Sequence, residues 1–305
     1  MTHAVITGLG VVSPFGCGRE RFVAGLAAGQ PILSEVDTSA GYHLNRGARL
    51  VAATDDRELG EWVPARLARR MSLPSRHAVG AARMALVDAG LDPKEKLGPR
   101  AIVSMATAYG MPGVTEELLH DILDDPTTAS PFAFPESVAN APAAQIAIMS
   151  GAGGLNLTFT ERAAGPLLAL GRAAREIRRG RADIALAGAF DETHPLLHAC
   201  LDRLGALARE RRGHPERPRP FAEDRDGFVL GGGATVLVVE TEERARQRDA
   251  NVLARVVASG GGFDPSAPAW DWGTGADVLG NRLRAFLDRH DVVVVRSVAS
   301  ASGSR

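Results

Sequence analysis

Short runs of apolar and β-branched residues punctuate the chain at positions 4–7, 102–105, 155–160, 183–190, 235–240, 252–258 and 292–295. Each has the length of a strand and is flanked by turn residues or charges. Longer stretches between them repeat apolar positions at intervals of three and four. Over 75–89, Ala78, Val79, Ala82, Leu86 and Ala89 form an apolar face, with Gly90 to end the helix and Pro93 beyond it. A second helix is predicted over 166–179, opening on Pro166 and stopping at Gly180. Its stripe of Leu167, Leu170, Ala174 and Ile177 is expected to face a core. Strands alternating with helices predict α/β layers.

Composition adds bounds. The 305 residues are 45% hydrophobic and 23% charged, enough apolar material for one or two cores. A formal net charge of −1 gives no field to recruit nucleic acid or an anionic membrane. The basic stretch 209–219 is broken by Gly, His and Pro, and 211–220 reads as an exposed connection. Cys17 and Cys200 are too far apart in sequence to suggest a disulfide framework, which fits a reducing cytoplasm. The start, His3-Ala4-Val5-Ile6-Thr7, has the form of a strand and not of a leader, and no run is long enough to span a bilayer. A cytoplasmic protein without nucleic-acid or membrane partners is expected.

The strand 155–160 runs directly into Glu161-Arg162-Ala163-Ala164-Gly165 and a helix, a strand, sharp turn and helix. A side chain at such a turn stands at a helix N-terminus, where backbone N–H groups favour negative charge. Arg162 occupies it, and a guanidinium is neither a nucleophile nor a base at ordinary pH. Glu161 suits the dipole, whereas Arg162 opposes it and needs a partner. The plain reading is a surface pair between the two. His194 and His198, four apart with Cys200 nearby, have a spacing that could offer metal ligands on a helix. No third ligand is visible and Pro195 fits a first helical turn, so a structural role carries more weight. Cys17 lies in the opening glycine-rich loop without a neighbouring base, and Gly8-Leu9-Gly10 lacks the third glycine of a dinucleotide fingerprint.

Several segments resemble one family. Val5-Ile6-Thr7-Gly8-Leu9-Gly10-Val11-Val12-Ser13-Pro14-Phe15-Gly16 is similar to the opening of β-ketoacyl synthases, and Phe134-Pro135 with Asn140-Ala141-Pro142-Ala143 to their mid-domain segment. Ala182-Asp183-Ile184-Ala185-Leu186-Ala187-Gly188 resembles the strand after their nucleophile helix. The stretch from Arg219-Pro220-Phe221 through Gly231-Gly232-Gly233-Ala234 is the most specific. The resemblance implies a thiolase-like fold (layered αβαβα) with the second half incomplete: residues 1–250 form the N-terminal half and 251–305 the truncated start of the C-terminal one.

At the site the chain departs from the family pattern. Thr160-Glu161-Arg162-Ala163-Ala164-Gly165 stands where a ketosynthase has Thr-Ala-Cys-Ala-Ser-Gly, so Arg162 replaces the acyl-accepting cysteine. Ser302 within Ser300-Ala301-Ser302-Gly303-Ser304 takes the place of the first catalytic histidine, with Trp272 in Asp271-Trp272-Gly273-Thr274-Gly275 as the other alignment. The segment for the second histidine is absent, and Gly232 replaces the family's Glu. No catalytic residue, cofactor or metal is therefore expected. The relatives that such a turn resembles, with a Ser-Glu-Gln-Ala-Gly-Gly-like form, are chain length factors of type II polyketide synthases; Glu161 and Gly165 fit them, while Arg162 in place of Gln and the loss of most of the second half point away from the ordinary aromatic type and toward a shortened variant of a polyene or other highly reducing system.

The resemblance implies a heterodimer with a catalytic ketosynthase through the strand before the turn, with Leu155, Leu157, Phe159, Glu161 and Arg162 at the interface. It also implies an acyl carrier protein whose chain enters a shared tunnel. The gating positions fall on Met111, Val114 and Leu118, a helical face of apolar residues that could equally be core. Alternatives are a scaffold or gene remnant without length control, and a metal-dependent enzyme using His194 and His198.

Overall fold

The computed structural model describes residues 3–43, 47–127, 129–131, 133–211, 213–266 and 274–290. In chain order its strands are β1 (Ala4–Ser13), β2 (Gly16–Cys17), β3 (Ser34–Glu35), β4 (Leu50–Ala52), β5 (Ala101–Ala106), β6 (Asn156–Phe159), β7 (Ile184–Asp191), β8 (Leu230–Gly231), β9 (Gly233–Thr241) and β10 (Ala254–Val256). The helices are α1 (Arg19–Ala28), α2 (Leu59–Trp62), α3 (Ala65–Ala68), α4 (Leu73–Asp88), α5 (Pro112–Asp124), α6 (Phe134–Ser137), α7 (Ala141–Ser150), α8 (Gly165–Arg178), α9 (Pro195–Arg203), α10 (Glu242–Gln247) and α11 (Ala276–Arg289).

The main sheet runs β10-β1-β9-β7-β5-β6, with β2 attached to β1. β5 pairs in parallel with β6 and β7, while β9 is antiparallel to both β7 and β1. Both faces are covered, which is why its strands read as continuous apolar runs. Along β7, Ile184 and Leu186 enter the core shared with α4 and α7, while Ala185 and Ala187 enter the core shared with α8. Each buried leucine or isoleucine there stabilises by about 1.5–3 kcal/mol relative to exposure. A smaller cluster of Val51, Leu201, Leu207 and Leu230 surrounds the sheet β3-β4-β8.

Helix α4 begins where the side chain of Ser72 accepts from the Ser75 N–H, and Gly90, at φ 72°, follows its end. β1 extends through Gly8 and Gly10 to Ser13, beyond the expected 4–7, and its glycines face α4. A Cβ at Gly10 would lie 1.9 Å from the Ala81 carbonyl oxygen, and one at Gly8 2.2 Å from that of Ala85. These glycines therefore serve helix–strand contact. Cys17 lies in β2, not in a loop, and burial, followed by the acidic groups of Asp56, Glu58 and Asp55, pushes its thiol up to about 11.

Two expectations about burial change. Within the stripe of α8, Ala174 and Ile177 are fully buried but Leu167 is 59% exposed. The stretch 211–220 is not simply a solvated loop: the Arg219 side chain is 8% exposed and pairs at 3.1 Å with Asp226, itself 3% exposed. Arg211 reaches the same carboxylate at 3.2 Å. Among the described residues no helix is long and apolar enough to cross a membrane. The expected strand 292–295, Ser302, and Asp271, Trp272 and Gly273 lie outside the described residues.

Candidate functional site

At the end of β6 the chain turns within a few residues into α8. Arg162 opens a 3-10 turn, Arg162–Ala164, with φ 46°, a left-handed conformation that costs a non-glycine residue about 1–2 kcal/mol. Gly165 follows at the helix start, where a Cβ would lie 2.9 Å from the Ala106 Cβ of β5, so α8 approaches the sheet closely. The expected strand, sharp turn and helix is present. Arg162 is exposed and forms no ion pair or side-chain hydrogen bond among the described residues. The expected pair with Glu161 does not form, consistent with neighbouring positions not facing each other in helical geometry.

The C-terminal ends of β5 and β7 lie beside this turn. Asp191, at the end of β7, accepts from the Thr107 hydroxyl at 2.7 Å and from the N–H groups of Ala108 and Tyr109 at 3.0 and 3.1 Å. It holds the loop between β5 and α5. Burial raises its carboxyl above the ordinary range despite these bonds. The Tyr109 phenol is raised by burial and then by Asp191, with the Arg162 guanidinium acting in the opposite direction. Tyr109 thus lies within electrostatic reach of both Asp191 and Arg162. Sequence reasoning singled out neither Tyr109 nor Asp191; an Asp-Glu pair closing the apolar run 184–190 was the available signal for Asp191.

A groove of about 470 Å³ opens alongside, lined by Val11 and Ser13 of β1, Leu167 and Leu170 of α8, Gly188 of β7, and Gly232. The exposed Leu167 belongs to its wall. At Gly232 an added Cβ would sit 3.2 Å from the Thr193 nitrogen.

The expected gating residues lie on or next to α5, in unlike settings. Met111 is its N-cap, 3% exposed and part of the main core, Leu118 is 9% exposed, and Val114 is half-buried. Of the expected interface residues, Leu157 and Phe159 are half-buried on β6, the last strand of the sheet order, and Leu155 is 38% exposed just before it.

His194 and His198 turn to different partners. His194 Nε2 lies 3.1 Å from a Glu116 oxygen, whereas His198, fully buried, shares a hydrogen bond of 2.9 Å with His43. Among the described residues no group of three or more His, Cys, Asp or Glu could hold a metal. The spacing of four thus does not unite the two rings in a ligand set.

Known proteins give this geometry a context. The family model described as "Beta-ketoacyl synthase, N-terminal domain" matches residues 1–245. The 3-oxoacyl-[acyl-carrier-protein] synthase 2 of Vibrio cholerae is 31% identical over 290 residues, covering 92% of this chain and 69% of that protein. The tetracenomycin polyketide synthase ketoacyl synthase alpha subunit of Streptomyces glaucescens is 33% identical over 264 residues, covering 83% of this chain and 61% of its own length. Among solved structures, the ishigamide ketosynthase/chain length factor is similar with a TM-score of 0.79 and 30% identity, over 95% of this chain and 70% of that one. The elbow between β6 and α8 and the layered sheet are thereby given a lineage: the chain belongs to the β-ketoacyl synthase family and has its thiolase-like α/β fold.

Proposed function

We propose that this chain is a chain length factor, the non-catalytic partner of a catalytic ketosynthase in a type II polyketide synthase. The observation that carries the reading is Arg162 at the elbow between β6 and α8. An acyl group cannot be accepted by a guanidinium that stays charged at every working pH. The acyl chain, delivered by an acyl carrier protein, is bonded instead to the partner's nucleophile, and this chain shapes the tunnel into which it grows. Similarity to a structure titled ketosynthase/chain length factor and to a polyketide ketosynthase alpha subunit supports the setting. The Arg in place of the usual Gln favours a highly reducing system, such as one making polyenes.

In this role β6 is the strand that meets the partner, and Arg162 pairs with a partner carboxylate. A charge-assisted hydrogen bond contributes about 1.5–3 kcal/mol, so Arg162→Ala is expected to weaken heterodimer formation by roughly ten- to a hundredfold. Co-purification and a titration of the two subunits measure it; unchanged affinity would remove Arg162 from the interface. Leu118→Phe, enlarging a side chain on the proposed tunnel face, is expected to shorten the product, because overpacking costs about 1–3 kcal/mol that added methylenes do not recover. Product lengths from the reconstituted pair test this, and an unaltered spectrum would assign Leu118 to the core.

One observation favours a second reading, a scaffold that supports its partner without setting length: Met111 packs inside the main core. On that reading the partner needs this chain for solubility, and substitutions at Val114 and Leu118 leave product length unchanged.

A further inference from the structure

Helix α5 carries the proposed length-setting positions, yet little of it is packed. Only Gly113 and Leu118 within it are buried, while Leu119, Ile122 and Leu123 are 53%, 42% and 83% exposed. Its N-cap, Met111, offers no side-chain hydrogen bond to the free N–H groups of the first turn. The one on Gly113 is met from elsewhere in the chain. The Glu192 carboxylate, 6% exposed, accepts from the Gly113 N–H at 2.9 Å. One turn further on, Glu116 pairs with His194 and accepts a hydrogen bond from the Tyr42 hydroxyl. A weaker tie joins the Thr115 hydroxyl to the Ser137 carbonyl at 3.3 Å.

Gly113 is what lets this platform approach. A Cβ there would lie 3.1 Å from the His194 ring and 3.3 Å from both Glu192 oxygens. The platform is itself rigid: Glu192 follows directly on β7, whose end at Asp191 is bonded to the loop leading into α5. Burial raises the Glu192 carboxyl, with the Gly113 N–H, His194 and His77 opposing and Glu117 adding to the rise. Among the groups that offset this burial the Gly113 N–H acts most strongly.

We propose that Glu192 and His194 are positioning residues that clamp the first turn of α5 to the end of β7, fixing where Val114 and Leu118 stand and hence the acyl length accepted. The length claim rests on the tunnel reading above; the clamp does not.

The test uses the complex with its ketosynthase and three variants of this chain. Glu192→Ala removes the acceptor, Glu192→Gln keeps an oxygen for the Gly113 N–H, and Tyr42→Phe removes one bond with almost no change in volume. Amide exchange in the first turn of α5 is expected to accelerate at least about tenfold in Glu192→Ala, less in Tyr42→Phe, and to return toward the parent rate in Glu192→Gln, with α8 unaffected. Product length is expected to broaden in Glu192→Ala and to be restored in Glu192→Gln, a rescue that loss of general stability would not give. Unchanged exchange in both Glu192→Ala and Tyr42→Phe overturns the clamp. Faster exchange with an unaltered product, while Leu118→Phe still shortens it, overturns the length claim. If Leu118→Phe also leaves the product unaltered, the tunnel reading itself fails and the length claim with it, while the exchange rates alone judge the clamp.

Discussion

Gly10→Ala is expected to destabilise the fold by about 3 kcal/mol or more, at the top of the range for overpacked cores. The added Cβ would sit 1.9 Å from the Ala81 carbonyl oxygen and 2.5 Å from the Ala85 nitrogen. Both are helix backbone atoms, so no side chain can rotate away. Relief requires α4 to move off β1, and with it Val79, Ala82 and Leu86, which are fully buried in the main core. The displacement would also reach Val11 and Ser13, which line the groove beside α8. A thermal unfolding midpoint lowered by on the order of 5 °C, or loss of soluble protein, is the expected measurement. A midpoint within about 1 °C of the parent, roughly half a kcal/mol for a chain of this size, would contradict the close packing of α4 on β1.

Glu240→Ala is expected to cost about 3–5 kcal/mol, the range for removing one partner of a buried ion pair. The Glu240 side chain is 0% exposed and serves several groups at once. It accepts from the Thr7 hydroxyl of β1 at 2.5 Å, from Arg248 at 2.5 and 3.2 Å, and pairs with Arg244 at 3.2 Å. Arg248 in turn donates to the Ala89 carbonyl at the end of α4. Loss of the carboxylate leaves two guanidiniums without their anion where β9, β1, α10 and α4 meet. Glu240→Gln, which can still accept from Thr7, is expected to fall between the parent and the alanine variant. Equal midpoints for all three in thermal unfolding would show that the pairing contributes nothing to stability.

The parts of the fold that were legible in sequence are those in which local pattern and tertiary burial agree. β5 and β7 stood out because both faces of the sheet are covered, so nearly every position is apolar, Ser104 and the terminal Asp191 apart. α4 and α8 stood out because each has polar residues to contrast with its buried face. α7 had no such contrast, since Ala141-Pro142-Ala143-Ala144 followed by Ile146 and Ile148 is nearly uniform. The glycines of β1 pointed to a loop, because a strand gains nothing from glycine by itself; the reason for them is the backbone of α4, about seventy residues away. Leu167 looked like core because its stripe continues Leu170 and Ile177, and periodicity cannot tell a groove wall from an interior.

The candidate site divides in the same way. The elbow at Arg162 is local, a strand running into a helix over a few residues, and it was legible. The Gly113–Glu192 and Glu116–His194 contacts join segments nearly eighty residues apart, and no spacing within either segment announces them. His194 and His198 invited a metal reading through their shared spacing, whereas the fold supplies each with a separate partner.

The central claim, that the partner and not this chain carries the acyl group, is tested most directly by intact-mass spectrometry of both subunits after the co-purified complex meets acyl-loaded carrier protein. The account predicts an acyl adduct on the ketosynthase alone and an unmodified mass for this chain. A stoichiometric acyl adduct on this chain, formed at the rate of product release, would contradict it.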